Sequence, residues 1–182
     1  MRERLIALVR ERSFLTSEEP TFLLSSGQLS KVYFDLRLTT LSPEGQHLIG
    51  NLILDRLRAE GLAPAAIGGL TMGADPVASA VAHASYLAGR PVEAFVIRKE
   101  PKAHGRGRQI EGRVEPGDGV VIVDDVLTTG GSTLKAVAVA RAAGLKVLAA
   151  VVVLDRLEKD GRRNVEREGV ALHAILTMDD FR

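Results

Sequence analysis

From Ala65 onward the sequence alternates short apolar runs with helical patterns, and this alternation restricts the fold more than any single motif does. Ala66 to Leu70, Val92 to Ile97, Gly119 to Val123, Val147 to Leu154 and Ala171 to Leu176 read as strands, and Ala74 to Ala88 and Thr133 to Ala143 as helices. Strands separated by helical patterns pack through right-handed crossovers. The expected class is therefore α/β, with a mostly parallel central sheet flanked by helices. Residues 1 to 60 depart from this rhythm with a helix, a hairpin and a second helix, Pro43 to Arg58. The hairpin pairs Thr21 to Leu24 with Lys31 to Leu36 across Ser25-Ser26-Gly27-Gln28. With 182 residues the chain is long enough for one domain with a real core and too short for two catalytic domains.

One strand ends unusually. Gly119 to Val123 is β-branched, suits a strand buried on both faces, and runs into two adjacent carboxylates, Asp124 and Asp125. In open α/β sheets ligands collect at the carboxyl ends of strands. Within a few residues the chain supplies Thr128, Thr129, Gly130, Gly131, Ser132 and Thr133. The glycines allow a sharp turn with inward N–H groups, the hydroxyls add donors, and the next helix aims its positive end at the same point. The pattern suits a phosphorylated sugar. A plainer reading has carboxylates capping a helix after an ordinary turn, but an acid pair closing a buried strand is costly without cations or ligand hydroxyls. No Gly-Lys-Ser/Thr follows, so this is not a Walker loop.

The run Asp124-Asp125-Val126-Leu127-Thr128-Thr129-Gly130-Gly131-Ser132-Thr133 resembles the phosphoribosyl-pyrophosphate (PRPP) motif of the type I phosphoribosyltransferases. The resemblance implies that residues 124 to 132 bind PRPP. It also implies that Asp124 and Asp125 act at the reacting sugar, holding ribose hydroxyls or Mg²⁺-bound water. Mg²⁺ is expected as cofactor, carried mainly by substrate oxygens and water near Asp124 and Asp125, with no direct protein ligand.

Arg98 to Arg113 holds six basic and two acidic side chains and three glycines without apolar periodicity, which reads as an exposed, mobile loop. The net charge is only +1, so this cationic cluster is local. A solvated loop and nucleic-acid binding are both open on composition, although no aromatic residue is interleaved for base stacking. Arg98-Lys99-Glu100-Pro101-Lys102-Ala103-His104-Gly105 is similar to the catalytic lid of orotate phosphoribosyltransferases. In that family the lid enters the neighbouring subunit's site. The resemblance implies a homodimer with shared sites, a lid over about residues 98 to 113, and Arg98, Lys99, Lys102 and His104 on pyrophosphate or the reacting centre, the last three being catalytic.

The stretch Phe22 to Arg37 is similar to the hood that covers the base in the same family, so a hood of about residues 1 to 40 is implied within a single domain spanning 1 to 182. It implies hydrogen bonds to orotate from Ser26, Gly27 and Ser30, joined by Thr128, with an aromatic or apolar wall from Phe22 or Tyr33. A hairpin with a polar turn is the plainer reading. Ser25 stands where some members carry Lys. Gly68 to Pro76 follows a strand and opens a helix, and by resemblance Thr71, Met72 and Gly73 form the pyrophosphate-side loop. Met72 stands where some relatives have Lys. An ordinary strand-to-helix turn would look similar. Arg156 follows the strand ending at Leu154-Asp155, and an Arg fork suits the orotate carboxylate; alone it would read as a surface ion-pair partner.

Cysteine is absent, which excludes disulfides and thiolate chemistry. The charged N-terminal helix pattern lacks an apolar signal core, and no transmembrane stretch is apparent, so a cytoplasmic protein without membrane or nucleic-acid partners is expected. His47, His83 and His173 lack metal-ligand spacing and read as structural, as do Asp179 and Asp180. The expected function is transfer of phosphoribose from PRPP to orotate. The rivals are a transferase for another base and a PRPP-responsive regulator that uses its basic loop on nucleic acid.

Overall fold

The structure, a computed structural model, describes residues 1–23, 29–100 and 109–182. The chain opens with helix α1 (Arg2–Arg12), strands β1 (Phe14–Thr16), β2 (Phe22–Leu23), β3 (Leu29–Ser30) and β4 (Val32–Phe34), and helices α2 (Arg37–Thr40) and α3 (Pro43–Ala59). There follow β5 (Ala66–Leu70), α4 (Ala74–Leu87), β6 (Glu93–Ile97), β7 (Ile110–Gly112), β8 (Gly119–Leu127), α5 (Gly131–Ala142), β9 (Lys146–Asp155), α6 (Gly161–Arg167) and β10 (Leu172–Thr177), with a final 3-10 turn, Met178–Phe181.

Six strands form the central sheet in the order β10-β9-β8-β5-β6-β7. All pairs are parallel except the edge pair β6–β7. Strand periodicity divides the core in two. Val121, Val123, Val151 and Val153 face one side with α1, α3 and α4, while Val120, Ile122, Ala150 and Val152 face the other with α5. From β5 the chain moves through α4 to β6 in one direction, and from β8 through α5 to β9 in the other. The β5/β8 boundary is thus a topological switch point, where a crevice opens at the strand ends.

Glycine permits the close packing beside that crevice. A methyl group at Gly68 would lie 2.1 Å from the Phe95 carbonyl oxygen, and one at Gly69 would lie 2.1 Å from that of Val123. Neither neighbour is a flexible side-chain tip. Gly68→Ala should therefore cost about 1–3 kcal/mol through backbone displacement. Chemical denaturation checks this: a midpoint equal to the parent protein's would mean that the strands can separate without penalty.

Two expectations need correction. Lys31 to Leu36 does not form one arm of a single hairpin: β2 pairs with β3, whereas β4 pairs antiparallel with β1. The rings explain the second partner, because Phe34 packs against Phe14 at 4.9 Å and Phe181 at 5.2 Å between centroids, drawing β4 onto the N- and C-terminal segments. The basic segment is not wholly loop either, since Ile110–Gly112 forms β7 against β6. Among the described residues no helix is long and apolar enough to cross a membrane.

Candidate active site

A cavity of about 640 Å³ opens at the carboxyl edge of the sheet, at the β5/β8 switch point. It gathers Thr71, Met72 and Gly73 from the β5–α4 loop, Lys99 beyond β6, and Asp124, Asp125 and Val126 from β8. Thr128, Thr129 and Ser132 line it from the β8–α5 loop and the start of α5, and Arg156 from the end of β9.

The acid pair lies inside β8 rather than at its end. Pairing with β9 continues from Asp124 opposite Val152 to Leu127 opposite Asp155, whereas pairing with β5 stops at Ile122. Beyond that residue one side of β8 is open, which lets both carboxyl groups reach the cavity. Asp124 is only 4% exposed. Its Oδ2 accepts from Ser132 Oγ at 2.5 Å and from Thr133 Oγ1 at 3.3 Å, and its Oδ1 accepts from the Asp125 amide at 3.0 Å. Burial, reinforced by the adjacent Asp125 charge, raises the Asp124 pKa well above the usual carboxylate range. Asp125 lies nearer solvent and accepts from the Val126 amide at 2.8 Å. A methyl group at Gly73 would come within 2.5 Å of Asp125 Oδ1 and 3.0 Å of Asp124 Oδ1, so the β5–α4 loop meets β8 through a residue without a side chain.

The loop after β8 turns at Gly130, whose φ of 81° is left-handed. Helix α5 begins at Gly131, two residues earlier than the sequence pattern suggests. Thr133 is buried and turned to Asp124, so its hydroxyl supports the acid instead of facing the cavity. Arg156 is 5% exposed. Its guanidinium stands 5.9 Å from the Phe34 ring centroid, and Nη2 donates to Glu158 at 3.2 Å. Its Nε is buried without a hydrogen-bond partner among the described residues. A buried cation with a spare donor on a cavity wall is suited to a planar anion.

Several anticipated residues lie elsewhere. Arg98 pairs with Glu111 at 2.9 Å in a neighbouring recess, and the Leu127 side chain is buried in the core. Gly130 and Gly131 shape the turn without lining the cavity. Ser30 accepts from the Val32 amide at 3.1 Å and also stays outside. Ser26, Gly27, Lys102 and His104 lie outside the described residues. Sequence reasoning gave no site role to Phe34, Asp35, Leu36, Arg37 or Leu70, all of which line the cavity. Asp35 and Arg37 form a 2.9 Å ion pair there. The signal is the Tyr33-Phe34-Asp35-Leu36-Arg37 run, in which aromatic residues end a strand and charged groups follow directly on it. Phe22 stacks on Tyr33 at 5.8 Å between centroids, and Tyr33 is the member of that pair on the cavity wall.

A doubly wound sheet whose switch point carries an acid pair and a hydroxyl-rich turn defines a class of proteins that hold a phosphorylated sugar at the strand ends. The phosphoribosyl transferase domain family matches residues 42–170. An orotate phosphoribosyltransferase of Aquifex aeolicus is 46% identical over 180 residues, covering 99% of this chain and 97% of the relative. Crystal structures of Mycobacterium tuberculosis orotate phosphoribosyltransferase superpose with a TM-score of 0.86 at 39% identity for the Fe(III) dicitrate complex, and 0.81 at 36% for the PRPP complex. Each covers 98% of this chain and 97% of the solved one. The chain belongs to the phosphoribosyl transferase family and, within it, to the orotate phosphoribosyltransferases. The domain match begins at residue 42, whereas the match to the Aquifex aeolicus relative covers 99% of this chain and so takes in the N-terminal strands.

Proposed function

We propose that this protein transfers the 5-phosphoribosyl group from PRPP to orotate, giving orotidine 5′-monophosphate and pyrophosphate in pyrimidine nucleotide synthesis. The observation that carries the reading is one cavity walled by the Asp124-Asp125 pair, the Thr128–Ser132 turn and the buried Arg156. The turn takes the 5′-phosphate, with Thr128 adjoining the base, and the acid pair faces the ribose. Negative charge there favours the cationic, oxocarbenium-like sugar formed as pyrophosphate leaves. Thr71, Met72 and Gly73 adjoin the leaving group, which Lys99 can neutralise. Arg156 grips the orotate carboxylate, and Tyr33 and Phe34 wall the ring. Positioning and electrostatics supply the acceleration, and no covalent enzyme intermediate is required.

Mg²⁺ is proposed as cofactor. No cluster of three or more metal-ligating side chains occurs among the described residues. Both oxygens of Asp124 already accept hydrogen bonds, and Asp125 remains accessible. This donor set fits an ion held chiefly by pyrophosphate and water, with Asp125 beside it. When bound, the ion neutralises pyrophosphate charge.

A homodimer with shared sites, closed by a lid between β6 and β7 with Lys102 and His104, belongs to the same proposal, as do base contacts from Ser26, Gly27 and Ser30. Exposed Leu38, Leu41, Tyr86 and Leu87 supply apolar surface for association. The reaction is tested by following orotate absorbance with PRPP and Mg²⁺, with uracil, hypoxanthine and adenine in parallel product assays. Orotate should be consumed only when both PRPP and Mg²⁺ are present. Preferred turnover of another base would sink the orotate reading, and PRPP binding without turnover would favour a regulator. Mixing a Lys102→Ala variant with an Asp124→Asn variant should restore activity if lids are shared; demonstrated heterodimers without recovery would refute that arrangement.

A further inference from the structure

Helix α6 takes no direct part in the cavity, yet it touches the Thr128–Gly130 turn and is joined to β9 by a turn that carries Arg156. The turn holds three non-glycine residues in the left-handed region, Leu157 (φ 55°), Lys159 (φ 52°) and Asp160 (φ 55°). Such a conformation persists only where its surroundings fix it. The fixing group is Asp155, the last residue of β9, which is 2% exposed. Its Oδ1 accepts from the Leu157 amide at 2.9 Å, and its Oδ2 accepts from Arg162 at 3.1 Å from Nε and 2.9 Å from Nη2. Arg162 also donates through Nη1 to the Leu172 carbonyl at 2.8 Å, so one guanidinium joins α6 to the ends of β9 and β10. Arg156 leaves the sheet between these contacts, its amide held by the Leu127 carbonyl at 3.0 Å.

The same helix supports the turn after β8. Asn164 Nδ2 donates to the Thr129 carbonyl at 3.0 Å. A methyl group at Gly161 would lie 2.3 Å from the Thr128 carbonyl oxygen, and one at Gly130 would lie 3.1 Å from Val165 Cγ2. The helix and the turn therefore interlock along their backbones.

We propose that Arg162 is a positioning residue for the base subsite: its ion pair with Asp155 fixes the turn from which Arg156 points, and α6 extends the restraint to the Thr128–Gly130 turn. This rests on the proposed function, in which Arg156 meets a carboxylate and the turn meets a phosphate. Base and phosphate subsites are then set by one clamp, and its two halves are separable, Arg162 serving the first and Asn164 the second.

Orotidine and uridine 5′-monophosphates test this, because they share the phosphate and differ by the carboxylate. Calorimetric binding to the full-length protein should show Arg162→Gln weakening the orotidine nucleotide roughly tenfold and the uridine nucleotide less than about twofold. Arg162→Lys, which can keep the charge pair, should recover most of the discrimination. Asn164→Ala should weaken both nucleotides alike, by about threefold, through loss of one hydrogen bond to the turn. Should Arg162→Gln fail to fold, Asp155→Asn decides, since it keeps the shape and the Leu157 bond but loses the ion pair, and it should narrow the ratio. Parent-like discrimination in the decisive variant, or equal weakening of both nucleotides by it, overturns the proposal. A parent protein that does not prefer the orotidine nucleotide removes the carboxylate reading and this proposal with it.

Discussion

Asp124→Asn is expected to yield a protein that is more stable at pH 8 than its parent and slower by roughly 10²–10³-fold in kcat, the scale of losing one pre-placed charged or polar group that stabilises a transition state. The stability gain follows from the surroundings of the carboxyl group. Asp124 is buried beside Asp125, and both effects raise its pKa in the folded protein above the ordinary unfolded value. Folding is therefore linked to proton uptake between those two values. The contribution to stability is fully present below the unfolded pKa and is lost as pH rises through the folded one. An amide removes this dependence at little steric cost. Its oxygen can accept from the Asp125 amide while its nitrogen donates to the Ser132 and Thr133 hydroxyls, which can reverse their roles. Thermal melts of the ligand-free proteins at pH 5 and pH 8 check the sign. The variant should gain at least about 2–4 °C at pH 8, roughly 1 kcal/mol for a chain of this size, and less at pH 5. A variant that melts lower than the parent at pH 8 would show that Asp124 does not carry an unfavourable buried charge.

This trade explains why the acid pair was legible in the sequence while its setting was not. Two carboxylates closing an apolar run are conspicuous because such a run rarely tolerates them. Hydropathy also ended the strand there, at Val123, whereas β8 runs on to Leu127. Pairing with β9 carries the backbone four residues further, a long-range effect that no local pattern contains. The other parallel strands of the central sheet, Ala66 to Leu70 above all, are legible within a residue or two because burial on both faces writes an unbroken apolar run, whereas the short antiparallel edge strand β7 writes none. Strand β4 shows the limit. Its residues were read as strand, but whether Phe34 meets Phe14 or the strand across the nearest turn depends on rings 20 residues apart in the chain and on Phe181. Helix α6 was not read at all. Its Gly161 and Asn164 matter through contacts with Thr128 and Thr129, and such contacts leave no periodicity.

Arg156 offers the sharper test of the base subsite. Arg156→Met, which keeps much of the aliphatic stem, should raise the KM for orotate by about 10²–10³-fold, the cost of about 3–4 kcal/mol expected when a desolvated, charge-assisted pair loses one partner. The KM for PRPP should change little, because the phosphate turn and the acid pair are untouched. Stability separates this reading from a structural one. In the free protein the guanidinium is buried with Nε unpartnered among the described residues, stands 5.9 Å from the Phe34 ring centroid, and has one 3.2 Å hydrogen bond to Glu158. A buried cation whose carboxylate partner, Glu158, is itself partly exposed still costs desolvation energy, and an apolar side chain of similar volume can be neutral or stabilising there. The melting temperature of Arg156→Met should therefore equal or exceed the parent's while orotate affinity collapses. Steady-state kinetics with each substrate varied in turn, paired with thermal melts, checks both. An orotate KM within about threefold of the parent's would place the carboxylate elsewhere; a large loss of stability with both KM values raised would make Arg156 a support for the hood through Phe34. The expected split, a stable protein that has lost one substrate and kept the other, is the signature of a charge held ready for a ligand rather than for the fold.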